Sequence, residues 1–422
     1  MNIEALYNLY SQHYLVDTDT RNIRKNTIFF ALKGANFNGN KFAEEALSKG
    51  ALYCVVDEEK YKTSESIIVV DDVLKTLQEL SNFHRKKLNI PIISLTGSNG
   101  KTTTKELINI VLKEKFITNA TKGNLNNHIG VPLTLLSMTP KTEIGIVEMG
   151  ANHHKEIAFL STIAEPDYGY ITNFGKAHLE GFGSVEGVIE AKSELYDFLI
   201  SNHKKIFVNQ YDPIQVEKTK NANVIFLENS ISFVSASPNV NVRLNAINIQ
   251  TNLIGKYNYN NIACAITIGK YFGISDEKIK KAIESYISEN NRSQVLKIGS
   301  NDVVLDAYNA NPTSMRAALE SFDQQLSNGK NKVVILGDMF ELGDTSNKEH
   351  QEIVDLSNSL SFQKVFLIGE HFYQTDIESN NLKFSNFENF KDYLIQYDIN
   401  DSNILIKGSR GMALERTLNF LN

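Results

Sequence analysis

Cysteine is nearly absent: Cys54 and Cys264 are the only two in 422 residues. They are far apart and lack metal-ligand spacing, which argues against a disulfide framework or a zinc site and suits a reducing cytoplasm. No apolar run approaches the roughly eighteen residues that a spanning helix needs, and Met1-Asn2-Ile3-Glu4 has no basic flank leading into an apolar segment. Neither secretion nor a bilayer is therefore expected. Positive charge is not in excess, since 43 Lys plus Arg face 49 Asp plus Glu for a formal charge of −6. That balance offers no global attraction to nucleic acid or anionic membrane, so any anion site has to be local. Internal repeats and low-complexity tracts are also missing.

What is present is ordinary globular composition, 42% apolar and 22% charged. At about 150 residues per domain, the length predicts roughly three α/β domains. Residues 1–88 read as a small α/β unit, with strands near 27–32, 52–56 and 67–70 and helices near 42–48 and 73–87. Residues 89–291 open with a strand near 90–95 and continue with alternating signals at 144–148, 157–160, 168–172 and 185–196. This alternation predicts a parallel sheet covered by helices. Closely spaced β-like runs at 206–208, 224–227 and 231–234 suggest an antiparallel extension. Residues 292–422 return to alternation, with strands near 303–306, 333–337, 365–369 and 404–407, and read as a third, doubly wound unit. Ser- and Asn-rich pieces near 229–238 and 378–391 are expected to be surface loops.

The strongest local signal is Gly97-Ser98-Asn99-Gly100-Lys101-Thr102-Thr103, between an apolar strand and a helix marked by Leu107, Ile108, Val111 and Leu112. Glycines let backbone N–H groups converge on an anion, Lys101 adds a mobile charge, and the Thr102 hydroxyl can ligate Mg²⁺. The glycines are separated by two residues rather than the usual four. A plain strand-to-helix turn would explain the glycines but not the Lys-Thr pair, so a nucleoside triphosphate is the expected ligand.

Ligands of open parallel sheets gather at the carboxyl ends of strands, which singles out several polar residues. Glu148 ends an apolar strand and would lie beside the cradle if the two strands are neighbours, where it would suit a hard metal. His178 follows the strand at 168–172 and, taken alone, is an ordinary loop histidine. Lys192 falls within the apolar stripe of Val185, Val188, Ile189, Leu195 and Tyr196. It should either snorkel to water or become a desolvated amine that serves as a nucleophile, a base or a site for carbamylation by CO₂, the carbamate being a metal-binding anion. Asn124, Asn126, Asn127 and His128 crowd one loop. Asn258 and Asn261 could cap a helix or read an adenine edge. Asp306-Ala307-Tyr308-Asn309-Ala310-Asn311-Pro312 and Lys407-Gly408-Ser409-Arg410-Gly411 are further strand-to-helix passages, with Asn311 as the expected cap and Pro312 at the first helical position.

Taken together, Thr96 through Thr102, Gly123 through Pro132, Glu148-Met149-Gly150, His178, Ala191-Lys192 and Gly255 through Asn261 resemble the ATP-dependent Mur ligases of peptidoglycan synthesis, relatives of folylpolyglutamate synthetase. The resemblance covers essentially the whole chain. Within that family, Asp306 through Met315, Leu336 through Gly343 and Lys407 through Arg410 resemble the branch that adds D-alanyl-D-alanine to UDP-N-acetylmuramoyl-tripeptide. The Asp-Asn-Pro-Arg-like motif of the branch that adds the third residue is not found.

The resemblance implies a uridine-nucleotide substrate domain, a central ATPase domain and a Rossmann-like C-terminal domain that closes over the site. It implies that Gly97 to Thr103 hold the ATP phosphates, that Thr102 and Glu148 ligate Mg²⁺, and that His178 and a carbamylated Lys192 support a second metal. Asn258 and Asn261 would meet adenine, Asp306 the ribose and Arg292 the γ-phosphate. Thr20, Arg21, Lys33, Gly34 and Asn38 would serve the UDP end of the substrate and Asn127 its peptide. Tyr308, Asn309, Lys407, Ser409 and Arg410 would face the dipeptide. A cytoplasmic monomer is expected. Asn38-Gly39-Asn40 stands where Asp-Gly-His is common, and Tyr257 where His often precedes Asn258. The alternatives are another Mur ligase, a folylpolyglutamate synthetase-like amide ligase, or an ATP-driven switch.

Overall fold

The computed structural model describes residues 1–422 except Asn290, Asn328, Ser379 and Asn422. Its first sheet is parallel, in the order Val16–Asp17, Ile28–Phe30, Tyr53–Val56, Ile67–Val69. All three residues of Ile28–Phe30 are buried, as expected for a strand covered on both faces. The helix Val73–Leu88 starts where the Asp72 carboxylate accepts the Lys75 N–H at 2.8 Å and ends at Asn89 in the left-handed region, φ 46°. It packs on the first helix, Ile3–Tyr10, and also on Gly130–Leu136 and Glu156–Ala164 of the next unit. It therefore joins the two cores.

The central sheet has six parallel strands in the order Asn223–Phe226, Lys205–Val208, Tyr168–Ile171, Ile92–Thr96, Ile144–Glu148, Thr118–Ala120. The strand feeding the glycine-rich loop thus lies mid-sheet. Leu95 is in register with Glu148 on one side, and Thr96 with Ile171 on the other. The condition on Glu148 is met: its strand neighbours the cradle.

The expected antiparallel extension is only partly present. The runs at 206–208 and 224–227 extend the parallel sheet, because Asp212 caps a helix with Pro213 at its first position, Pro213–Lys218, and supplies the crossover that a parallel pair requires. The antiparallel sheet consists of Ile231–Ser235, Asn241–Leu244 and Ile247–Gln250. Both expected surface loops contain regular structure. Ile231–Ser235 lies in the first, while the second holds the strand Asn381–Phe384 and the start of the helix Phe387–Gln396; Ser379 in that piece lies outside the described residues. Asparagine misleads there because it serves as structure: Asn386 caps the helix, and buried Asn381 donates to Asn358 Oδ1 at 2.6 Å.

The third sheet runs Gln294–Ile298, Asn301–Asp306, Ser402–Lys407, Asn331–Gly337, Lys364–Ile368, Asn381–Phe384; only the first pair is antiparallel. The last strand in sequence of this sheet inserts between two earlier ones, so Asp306 and Lys407 stand side by side at its carboxyl edge. This is where an open α/β sheet makes its crevice.

Candidate active site

Sterics impose the cradle's glycines. Gly97 has φ +135°, and a Cβ there would lie 2.1 Å from Thr172 Oγ1; Gly100 has φ +79°, and a Cβ would meet Asn261 Oδ1 at 2.8 Å. The shortened loop is fastened to the neighbouring strand end. Ser98 N–H donates to Asn173 O (3.0 Å) and Asn99 N–H to Asn173 Oδ1 (3.1 Å), while Thr172 Oγ1 donates to Asn99 O (2.6 Å). Two loop amides are thus already engaged. That leaves the first-turn amides of Lys101–Leu112, a helix that no side chain caps, as donors able to meet an anion. Lys101 Nζ donates to Gly97 O at 2.6 Å, and burial, with Arg292's charge adding, pushes its ammonium down to about 8 against the opposing pull of Glu148.

Glu148 is 1% exposed. Its Oε1 accepts from Thr102 Oγ1 (3.2 Å) and Asn126 Nδ2 (2.9 Å). Its Oε2 is buried without a hydrogen-bond partner, with Lys105 Nζ 3.8 Å away. An orphaned carboxylate oxygen beside a threonine hydroxyl is an oxygen-donor set that fits Mg²⁺. No cluster of three or more His, Cys, Asp or Glu able to hold a metal occurs among the described residues.

Lys192 does not snorkel. It sits fully buried on the helix Val185–Ser201, with Nζ donating to Ala151 O at 3.1 Å and lying 4.9 Å from the Phe182 ring centroid. Burial, reinforced by Lys101's charge and opposed by Glu156 and Glu194, pushes the amine down to about 7. His178, in the left-handed region at φ 53°, also lies near Phe182, with ring centroids 6.3 Å apart. His178 Nδ1 meets the Glu341 carboxylate from the C-terminal unit and holds it below the usual carboxylate range.

Asn258 and Asn261 do not cap their helix, Asn258–Tyr271. Asn258 Nδ2 donates to Ile254 O (2.8 Å), Asn261 Nδ2 donates to Asn258 Oδ1 (2.8 Å), and Asn261 Oδ1 accepts from Thr104 Oγ1 (3.0 Å). They form a buried amide ladder behind the cradle. Asn127 Oδ1 accepts from Ile129 and Gly130 N–H at 3.1 and 2.9 Å, just ahead of the helix Gly130–Leu136.

A cavity of about 730 Å³ opens between the central and C-terminal units, lined from one side by the cradle, Glu148, Asn127 and His178 and from the other by Asp306, Tyr308, Asn309, Lys407, Ser409 and Arg410. Tyr257, Asn258, Asn261 and Arg292 also line it. Asp306 accepts from Ser293 N–H (3.1 Å) and from the buried Lys407 ammonium, which also donates to Asn309 O at 3.3 Å. Ser409 Oγ accepts from Phe340 N–H at 3.0 Å. Lys192 is not among the lining residues; it stands behind Ala151 and Phe182.

Nor do the five N-terminal candidates reach this cavity. Arg21 pairs with Asp19 at 2.6 Å, and Thr20 O accepts from Lys49 Nζ at 2.9 Å. Lys33, on a two-stranded turn with Gly34 and Asn38, pairs with Asp57 (2.7 Å) and Glu58 (3.1 Å), and Asn38 Nδ2 donates to Glu58 at 2.8 Å. Sequence reasoning passed over Asn173, Lys105 and Glu341. Asn173 follows a strand end, and Lys105 is four residues past Lys101 and so on the same helix face; both signals were readable. The Glu341 contact depends on how two units dock and had none.

Three sequence profiles match in series: the Mur ligase family catalytic domain over residues 13–95, the Mur ligase middle domain over 95–269 and the Mur ligase glutamate ligase domain over 291–410. A UDP-N-acetylmuramoyl-tripeptide--D-alanyl-D-alanine ligase from Bacillus subtilis is 34% identical, covering 95% of this chain and 91% of its own. A crystal structure of MurF from Acinetobacter baumannii aligns with TM-score 0.85 at 30% identity, over 96% of this chain and 92% of that one. The MurF ligase of Thermotoga maritima in complex with ADP aligns with TM-score 0.85 at 25% identity, over 98% and 97%.

Proposed function

Because the chain belongs to the Mur ligase family, we infer that it joins D-alanyl-D-alanine to UDP-N-acetylmuramoyl-tripeptide with conversion of ATP to ADP and phosphate. The observation that carries this reading is the single cavity faced by a triphosphate cradle on one wall and by the cationic strand ends of the C-terminal unit on the other. A switch needs only the first wall. An amide ligase needs both, because a third reactant must meet the activated acid. Near-full-length identity to D-alanyl-D-alanine-adding ligases favours that substrate pair over a folate.

In the reaction, a tripeptide carboxylate oxygen attacks the γ-phosphorus of ATP and ADP leaves. The dipeptide amine then attacks the acyl carbon, and the tetrahedral intermediate expels phosphate. Two anions repel as they approach, so the cradle amides, Lys101 and Arg292 are proposed to stabilise the charge that moves onto the phosphoryl oxygens. Mg²⁺, held by Thr102 and Glu148, would supply further neutralisation of the phosphates. Lys192, a buried amine with its proton loosely held, is proposed to add CO₂ at Nζ with release of a proton, giving a carbamate that with His178 would hold a second metal. Docking of the C-terminal unit keeps water from the acyl phosphate.

The remaining roles are proposals of the same kind. Asn258 and Asn261 serve adenine, Asp306 serves ribose, and Thr20, Arg21, Lys33, Gly34 and Asn38 serve the uridine nucleotide. Asn127 orients the peptide, while Tyr308, Asn309, Lys407, Ser409 and Arg410 face the dipeptide. Functional units of 1–88, 89–291 and 292–422, acting as a cytoplasmic monomer, complete the reading. No helix among the described residues is long and apolar enough to cross a membrane.

The test is mass spectrometry of products with phosphate release followed in parallel. A pentapeptide formed only when ATP, tripeptide and dipeptide are all present supports the reading; ADP formation indifferent to the dipeptide overturns it.

A further inference from the structure

Tyr308 meets two guanidinium groups. Arg292 Cζ is 3.7 Å from its ring centroid, and Arg410 Cζ is 5.0 Å away with Nη1 donating to the Tyr308 hydroxyl at 3.1 Å. All three line the cavity between the central and C-terminal units. Two like charges brought this close repel. The negative face of the ring, together with a hydroxyl oxygen that accepts a charged N–H, offsets that repulsion and fixes each guanidinium at a chosen place. The ring is itself anchored, since Tyr308 N–H donates to Asn291 O at 3.2 Å and the neighbouring strand end is tied by the Asp306–Lys407 pair.

The arginines come from opposite ends of the C-terminal unit. Arg292 lies just ahead of the strand Gln294–Ile298 and lines the cavity together with the cradle, and the ligase reading gives it the γ-phosphate. Arg410 is exposed on the loop after the last strand, beside Ser409 on the C-terminal wall. We propose that Tyr308 is a positioning residue that holds Arg292 toward the triphosphate and Arg410 toward the carboxylate of the incoming dipeptide. This rests on the ligase reading above and adds to Tyr308's place on the dipeptide wall a role that runs through the two arginines. The nucleotide arginine depends on the ring face, and the dipeptide arginine depends also on the hydroxyl.

Two substitutions separate these dependences. Tyr308→Phe keeps the ring and removes the hydroxyl, so KM for D-alanyl-D-alanine should rise about tenfold while KM for ATP stays within about twofold. Tyr308→Leu removes both, so kcat should also fall, and affinity for the β,γ-imido analogue of ATP with Mg²⁺, measured by calorimetry, should weaken about tenfold. The proposal is overturned if the phenylalanine variant shifts both KM values together, or if the leucine variant binds the analogue as tightly as the parent. The calorimetric arm needs no turnover. Failure of the unmodified protein to make pentapeptide would overturn the ligase reading, whereas normal turnover with unresponsive Tyr308 variants would overturn this inference alone.

Discussion

Asn99 and Asn311 exchange amide hydrogen bonds between the phosphate cradle and the C-terminal unit: Asn311 Nδ2 donates to Asn99 Oδ1 at 2.7 Å, and Asn99 Nδ2 donates back at 3.4 Å. Asn311 also caps the helix Pro312–Asp323 in a reciprocal capping box with Ser314. The nearby segment repeats the connection, with Lys176 N–H donating to Thr313 Oγ1 at 2.9 Å and Lys176 Nζ to Glu349 at 2.6 Å. The cradle is therefore held on one side by Asn173 and on the other by a helix cap of another unit.

Those two jobs of Asn311 come apart in Asn311→Ser. Serine caps a helix nearly as well as asparagine but is too short to reach Asn99. Thermal stability should stay within about 1 kcal/mol of the parent, while the ATP-dependent rate falls. An unchanged rate at unchanged stability would mean that the residue acts only as a cap.

For Lys192, replacement by alanine should reduce turnover on the order of a hundredfold. Added acetate or propionate should restore part of it by placing a carboxylate where the carbamate would stand. The buried amine is held near pH 7, so enough neutral form exists for CO₂ to add at ordinary pH. Full activity of the alanine variant without added carboxylate would leave Lys192 as packing against Phe182.

Glu148→Gln preserves shape and removes the charge beside Thr102. Binding of Mn²⁺ in the presence of ADP, followed by electron paramagnetic resonance, should weaken by at least about tenfold, as expected on losing the ionised member of an oxygen-ligand set. Unchanged Mn²⁺ affinity would place the metal elsewhere in the cavity.

The chemistry that rests on adjacent residues was readable from sequence, and the chemistry that rests on docking was not. Gly97 through Thr103 declared itself because strand, turn and helix are contiguous, and Glu148 followed because strand-end carboxylates collect at one edge of a parallel sheet. The buried amides of Asn258 and Asn261 read equally well as helix caps, since local sequence does not reveal that Asn261 Oδ1 accepts from Thr104 Oγ1 and that Asn258 Nδ2 donates to Ile254 O. Runs 206–208 and 224–227 looked antiparallel because the helix between them is only Pro213–Lys218. Asn99 with Asn311, and His178 with Glu341, are separated by more than 160 residues, and no local pattern encodes such a pairing.

His84 predicts how acid acts on the boundary between the first two units. Its ring is fully buried among Tyr7, Tyr10 and Tyr14, and Nε2 lies 3.0 Å from Met138 O, so Nε2 carries the proton. Nδ1 is buried without a partner, and a second proton there would be an unsatisfied charge. Burial accordingly pulls the imidazole from 6.5 down to about 4, against a smaller opposing effect of the Met138 carbonyl. Between these values the unfolded chain binds more protons than the folded one, so stability is fully present above pH 6.5 and declines as pH falls toward 4. The shift corresponds to roughly 3 kcal/mol over that window. His84→Gln keeps a donor for the carbonyl but cannot titrate. Urea unfolding at pH 7 and pH 4.5 should therefore show a smaller acid loss in the glutamine variant than in the parent, and an identical loss in both would rule His84 out as a source of acid sensitivity.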